Sequence, residues 1–145
     1  IDRNKVDKGL SMITKFNHVA IAVNDLKKAV KLYKNVLGGK VSDVFNYPNH
    51  GVSVSFVDLG NTKIELMEPY GQDSPIDKFL KKNINGGIHH ICIEVNDIYE
   101  TRDHLIKHNI SVLGDGEPKL GAHNKPVLFL HPKNFFGTLI ELEQE

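Results

Sequence analysis

Residues 17–23, "NHVAIAV", alternate along the chain and are rich in β-branched residues, a pattern that predicts a strand. "NDLKKAVKLYKNVLGG" follows. In it Leu26, Val30, Tyr33 and Leu37 recur at helical spacing, Asn24 or Asp25 can cap the start, and Gly38-Gly39 ends it. "KVSDVFNY" predicts a second strand, "GVSVSFVDL" a third and "TKIELMEP" a fourth, with Gly60-Asn61 as a tight turn between the last two. The unit is βαβββ over about residues 16–69. The same order returns over about residues 87–145: "IHHICIEV" as strand, "NDIYETRDHLIKHNI" as helix, then "SVL", "KPVLFLHP" and "GTLIELEQ" as strands. The copies match best at their ends. His18 corresponds to His90, Ile21 to Ile93, Asn24-Asp25 to Asn96-Asp97, and Glu65 to Glu141.

Between the copies, about residues 70–86 form a linker, "YGQDSPIDKFLKKNINGG". It predicts a short helix with Ser74 as cap and Pro75 in its first turn. A unit of some 55 residues buries only a thin core. The expected fold is therefore α+β: two tandem βαβββ units forming one curved mixed sheet around a cavity, with the helices outside. Residues 1–15 are read as a polar extension preceding a single domain over 16–145, and Met12 as a candidate natural start.

Strand alternation sorts the side chains into two faces. Val19, Ile21 and Val23 are assigned to the helix side, leaving His18, Ala20 and Ala22 on the concave side; in the second copy Ile91, Ile93 and Val95 oppose His90, Cys92 and Glu94. Ile64 and Leu66 face the core, which turns Glu65 inward, and Ile140 and Leu142 do the same for Glu141. Parity thus sends two imidazoles and two carboxylates into one cavity. An unpaired buried carboxylate costs several kcal/mol, which a divalent cation removes. This donor set suits one first-row ion such as Zn²⁺, Co²⁺, Mn²⁺ or Fe²⁺.

Other candidates are set aside. His89 precedes His90 and is assigned to the opposite face; Glu94 lies roughly 13 Å along the strand from His90, too far for the same ion. Cys92 reads as a small core residue. His104 and His108 stand at i,i+4 on a helix, a spacing able to bind metal, but beside Lys107 they read as a solvated face.

Composition narrows the function classes. The chain has 145 residues, with 40% hydrophobic and 25% charged positions, ordinary for a globular protein. Lys plus Arg total 18 and Asp plus Glu total 18, a balance that argues against nucleic acid or an anionic membrane as partner. No apolar run approaches the ~18–20 residues of a membrane helix, and the polar N-terminus does not resemble a secretory signal. The lone Cys92 rules out an internal disulfide and fits a reducing compartment.

The duplicated unit, with His and Glu at matching ends, resembles the vicinal oxygen chelate (glyoxalase-like) superfamily. "YKNVLG", "HGVSV", "GGIHHICIEV", "FLHPK" and "ELEQ" narrow the resemblance to the methylmalonyl-CoA epimerase family, from about Phe16 to the end of the chain. It implies epimerisation of an acyl-CoA substrate at C2. The C2 proton is abstracted to give a metal-chelated enolate, then returned on the other face. His18, His90, Glu65 and Glu141 are then ligands to one divalent ion (Co, Zn, Mn or similar), with Glu141 and Glu65 as the catalytic bases. Bacterial relatives carry an acid/base Glu on the third strand, where this chain has Val54; Glu65 is inferred to replace it. Ser74, His123 and Lys125, in loops at corresponding edges, are the expected substrate contacts. A homodimer in bacterial cytoplasm or mitochondrial matrix is implied as well. The alternatives are a glyoxalase-like isomerase, an extradiol dioxygenase (against which Glu65 as a fourth ligand counts), and a metal-free ligand-sequestering protein of the same fold.

Overall fold

The structure, a computed structural model, describes residues 12–145, so the first eleven residues of the expected N-terminal extension lie outside the described residues. The chain divides into two compact units, one over 17–91 and one over 92–145 joined by the described residues up to Phe16.

In the unit over 17–91, β1 (Ile13–Ala22) is followed by α1 (Leu26–Lys31), which continues as a π-helical turn over Leu32–Val36. Then come β2 (Lys40–Val41), β3 (Phe45–Tyr47), β4 (Val52–Asp58), β5 (Lys63–Pro69) and α2 (Asp77–Lys82), and β6 (Gly87–Val95) carries the chain out of the unit. β2, β3 and β5 pair antiparallel with β4, and β1 pairs parallel with β5. Its sheet has two covered faces. On one, Leu26, Val57 and Leu66 are buried with Ile21, Val23, Val30 and Tyr33 around them, the helix side expected from alternation. On the other, Ala20, Ala22, Val54 and Met67 pack against Ile76, Phe79 and Leu80. The linker therefore folds back over part of the face expected to be open.

Two local expectations are corrected. "KVSDVFNY" is not one strand. The Ser42 hydroxyl accepts the Phe56 N–H at 2.9 Å while Ser55 Oγ donates to the Ser42 carbonyl at 2.8 Å, and this side-chain bridge interrupts the ladder between β2 and β3. Ser74 does not cap α2 either: Ile76 occupies the cap position with no side-chain bond. The Ser74 hydroxyl instead donates to the Gly51 carbonyl at 2.6 Å, the same oxygen that receives the Tyr70 N–H. Gly51 (φ +66) lets the backbone come this close, since a Cβ there would stand 2.8 Å from Pro75.

The unit ending at Glu145 contains α3 (Ile98–Lys107), β7 (Lys119–Leu120), β8 (Pro126–Leu130) and β9 (Ile140–Gln144), with β8 antiparallel to both β7 and β9. Val95, Ile98, Val127, Leu128, Leu130, Ile140 and Leu142 are its buried apolar residues, together with Cys92. "SVL" is reduced to a single bridge, Val112 to Leu130, because Gly114 and Gly116 at positive φ turn the chain away; the short strand forms later, at β7.

The two helices start alike. Asp25 accepts from Lys28 N at 3.0 Å, and Leu26 N donates to Glu68 Oε2 at 2.7 Å. Asp97 accepts from Tyr99 N and Glu100 N, each at 3.0 Å, and Ile98 N donates to Gln144 Oε1 at 2.9 Å. Each helix thus has an acidic N-cap and a second fastening to the end of a strand, β5 for α1 and β9 for α3. Among the described residues no helix is long and apolar enough to cross a membrane.

Leu66 is fully buried under α1. Replacing it by Ala is expected to lower unfolding free energy by about 2–5 kcal/mol, read from the midpoint of urea denaturation at unchanged slope.

Candidate metal centre and active site

β1, β5 and β6 bring three polar side chains of the unit over 17–91 together. His18 is 1% exposed, Glu65 5% and His90 4%. In the parallel β1–β5 register Glu65 lies beside Ala20, so His18, two residues earlier, shares its face on the diagonal. One donor atom from each of the three residues lies within 4.8 Å of the others. His18 Nε2 is 3.9 Å from Glu65 Oε1, and the two imidazole centroids are 5.5 Å apart. Across the β4–β5 ladder Phe56 faces Glu65 and Val54 faces Met67, so apolar groups wall this side. A carboxylate buried in such surroundings needs positive charge or hydrogen bonds nearby. Two imidazole nitrogens with a carboxylate oxygen are a donor set that borderline first-row ions favour. The residues fit a divalent metal ion.

The second nitrogen of each ring is also engaged. His18 Nδ1 lies 2.6 Å from Asn17 Oδ1. An amide oxygen only accepts, so in this contact Nδ1 is the donor. His90 Nδ1 lies 2.8 Å from Nδ1 of His89, whose ring meets Phe79 of α2 edge-on at 5.1 Å. Burial, and secondarily the neighbouring His90, push the His89 pKa down to about 4, so its ring is neutral near pH 7. The sequence expectation for His89 is corrected here. Alternation assigns it away from this face, but its ring meets both His90 and Phe79 of α2.

In the other unit Glu141, 8% exposed, accepts from the Cys92 thiol at 3.6 Å. Phe129 faces it across the β8–β9 ladder, as Phe56 faces Glu65. Cys92 is wholly buried, as expected of a small core residue. Two residues on, Glu143 is 1% exposed and meets His123 Nδ1 at 2.8 Å. The corresponding residue of the first copy is Met67, so the second copy places an additional carboxylate on this face. The "ELEQ" alternation carries that signal, since Glu143 stands two residues after Glu141 and so shares its face. Glu94, also buried, lies 4.0 Å from Lys15 Nζ.

His123 and Lys125 lie in the turn between β7 and β8, where Gly121 N donates to the Lys125 carbonyl at 2.9 Å. The Lys125 side chain is exposed, whereas Ser74 is buried with its hydroxyl on Gly51. The His104 and His108 rings lie 4.4 Å apart, tilted to each other, at the C-terminal end of α3, half-buried and exposed respectively.

A family model for the glyoxalase/bleomycin resistance protein/dioxygenase superfamily matches residues 17–129. The ethylmalonyl-CoA/methylmalonyl-CoA epimerase of Cereibacter sphaeroides is 59% identical over 133 residues, covering 92% of this chain and 99% of that protein. Among solved structures, the methylmalonyl-CoA epimerase of Mycobacterium tuberculosis superposes with a TM-score of 0.85 at 28% identity, over 97% of this chain and 94% of that one. A methylmalonyl-CoA epimerase in complex with methylmalonyl-CoA and NH4+ superposes at 0.81 with 31% identity, over 92% and 95%. The mixed-sheet α+β fold expected from the duplicated pattern is the fold of these proteins.

His123→Leu removes a partner from a fully buried carboxylate. It is expected to lower stability by about 1–3 kcal/mol, whereas exposed Lys125→Ala stays within about 0.5 kcal/mol; urea denaturation of the two variants reads the difference.

Proposed function

The chain belongs to the methylmalonyl-CoA epimerase family, and on that premise we propose that it inverts the configuration at C2 of methylmalonyl-CoA. The observation that carries the reading is the buried His18–Glu65–His90 cluster in a chain 59% identical to an enzyme of that name. The protein is an isomerase, working by removal and return of one proton.

The C2 hydrogen of the substrate lies between a thioester and a carboxylate, so its removal leaves an anion delocalised onto the thioester oxygen. His18, His90, Glu65 and Glu141 would hold one divalent ion. Such an ion, when bound, supplies positive charge where that anion develops. Supporting Glu141 as the fourth ligand are its burial, its correspondence to Glu65 in the duplicated pattern, and the Phe that faces each of the two.

Inversion needs a proton acceptor on one side of C2 and a donor on the other. We assign these roles to Glu65 and Glu141. A carboxylate has two oxygens, so one can face an ion while the other exchanges a proton. Support for Glu65 comes from its neighbours on β4, since Val52, Val54 and Phe56 on its face of that strand cannot take a proton and the carboxylate there, Asp58, is exposed at the strand's end beside Lys63. Lys125 offers an exposed cation to the substrate's anionic groups. His123 could reach substrate only through Nε2, because Nδ1 is held by Glu143. Ser74 belongs to the same assignment; its buried hydroxyl donates to the Gly51 carbonyl, so only its oxygen is left to offer substrate. A homodimer, implied by the resemblance, belongs to the same reading and is measured by sedimentation equilibrium.

Deuterium entry at C2 of methylmalonyl-CoA in D₂O tests the reaction directly. We expect exchange from both stereoisomers, loss after chelation, and return on adding Co²⁺, Zn²⁺ or Mn²⁺. Glu65→Gln should retain metal while slowing exchange from one stereoisomer by about 10²–10⁴-fold; equal, undiminished exchange from both would remove Glu65 from the chemistry.

A further inference from the structure

We infer that the residue immediately preceding each site histidine, Asn17 in the first copy and His89 in the second, is a positioning residue that fixes the neighbouring imidazole with its proton on Nδ1 and its lone pair on Nε2. This deepens the epimerase reading and rests on it only where metal binding is concerned.

The two contacts are the same device in different chemistry. His18 Nδ1 meets Asn17 Oδ1 at 2.6 Å, and His90 Nδ1 meets His89 Nδ1 at 2.8 Å. Asn Oδ1 and His Nδ1 are isosteric: each is bonded to Cγ of its side chain, at the same distance from the backbone. Position 17 corresponds to position 89 in the duplicated pattern, so two different side chains present a hydrogen-bonding atom at one equivalent point. Asn17 fixes the direction of its bond, because an amide oxygen cannot donate. The His89–His90 contact holds a single proton, since two N–H groups cannot face each other. With that proton on His90, its Nε2 is a lone-pair donor like that of His18. With it on His89, His90 would carry Nε2–H and could not act as a ligand. Both Nε2 atoms are buried, on the side of the rings away from the held nitrogens.

The supports are themselves anchored. Thr62 Oγ1 donates to the Asn17 carbonyl at 2.9 Å, tying the start of the β1 site segment to the β4–β5 turn. The His89 ring rests against Phe79 of α2 at 5.1 Å, so the linker helix sets the orientation of His90 through one intermediate ring. An outer hydrogen bond of this kind commonly governs metal affinity by about 10–100-fold.

Long-range ¹H–¹⁵N correlation spectra of the metal-free native protein test the tautomers without any variant. Both site histidines should show a protonated Nδ1 and an unprotonated Nε2; an Nε2–H form of either ring overturns the inference. Binding of Co²⁺, followed by its visible spectrum and by competition with a chromogenic chelator, tests the consequence. His89→Leu and Asn17→Leu should each weaken affinity about 10–100-fold, while His89→Asn, which copies the first half's solution, should stay within about threefold of native. Native-like affinity in His89→Leu, or an equal loss in His89→Asn, overturns the assignment. A native protein that binds no Co²⁺ would instead remove the metal from the proposed function, with the tautomer result still deciding this inference.

Discussion

The interaction on which the site depends is that of the Glu65 carboxylate with the two imidazoles beside it. A carboxylate 5% exposed, faced by Phe56 and with Met67 as its neighbour on the same face, is a costly group to hold inside a sheet. Without partners it would be protonated or driven outward. The fold keeps it in place by bringing His18 and His90 from two other strands to within a few ångströms. The remainder of this unit can be understood as what makes that juxtaposition possible. β1 and β5 pair in parallel so that His18 and Glu65 share a face, and α1 seals the opposite face with Leu26 over Leu66 and Val57.

Much of this was legible in the sequence because a strand has a period of two. Once "NHVAIAV" and "TKIELMEP" are strands with Ile21 and Leu66 under a helix, His18 and Glu65 must share the other face, and the duplication carries the argument over to His90 and Glu141. What alternation cannot convey is where a ring or hydroxyl reaches after leaving the backbone. It assigned His89 to the opposite face and missed its ring against His90 and Phe79. It gave a continuous strand over residues 40–47, because the bond from Phe56 N to the Ser42 hydroxyl comes from a strand fourteen residues away. Ser74 looked like a cap because Ser-Pro precedes a helical pattern, but a nearby carbonyl, that of Gly51, is the stronger claimant. Glu143 was a different sort of miss: its position was plain, and its His123 partner comes from a turn twenty residues earlier.

The two copies have diverged while keeping their frame. Caps, facing phenylalanines and the placing of the acids are retained, whereas Asn17 corresponds to His89 and Met67 to Glu143. The retained features concern geometry, which a duplicated fold must keep in both halves to remain packable. The changed ones alter hydrogen bonding and charge at fixed positions. Val54 opposite Met67 corresponds to Val127 opposite Glu143, so the frame keeps one member of the facing pair and exchanges the chemistry of the other.

The fastening of each helix start to a distant strand end has a kinetic side. Leu26 N is bonded to a residue 42 positions later, and Ile98 N to one 46 positions later. A chain must close a long loop before either bond forms, and that entropy is lost before any contact compensates for it. Asp25 and Asp97 can begin their helices locally, but the second fastening waits for the last strand of each half to dock. The short α1, six residues long, is too brief to persist in water by itself. Each half thus acquires its secure helix late, as the closing event of its own assembly, so its folding rate is governed by strand arrival and not by helix propensity.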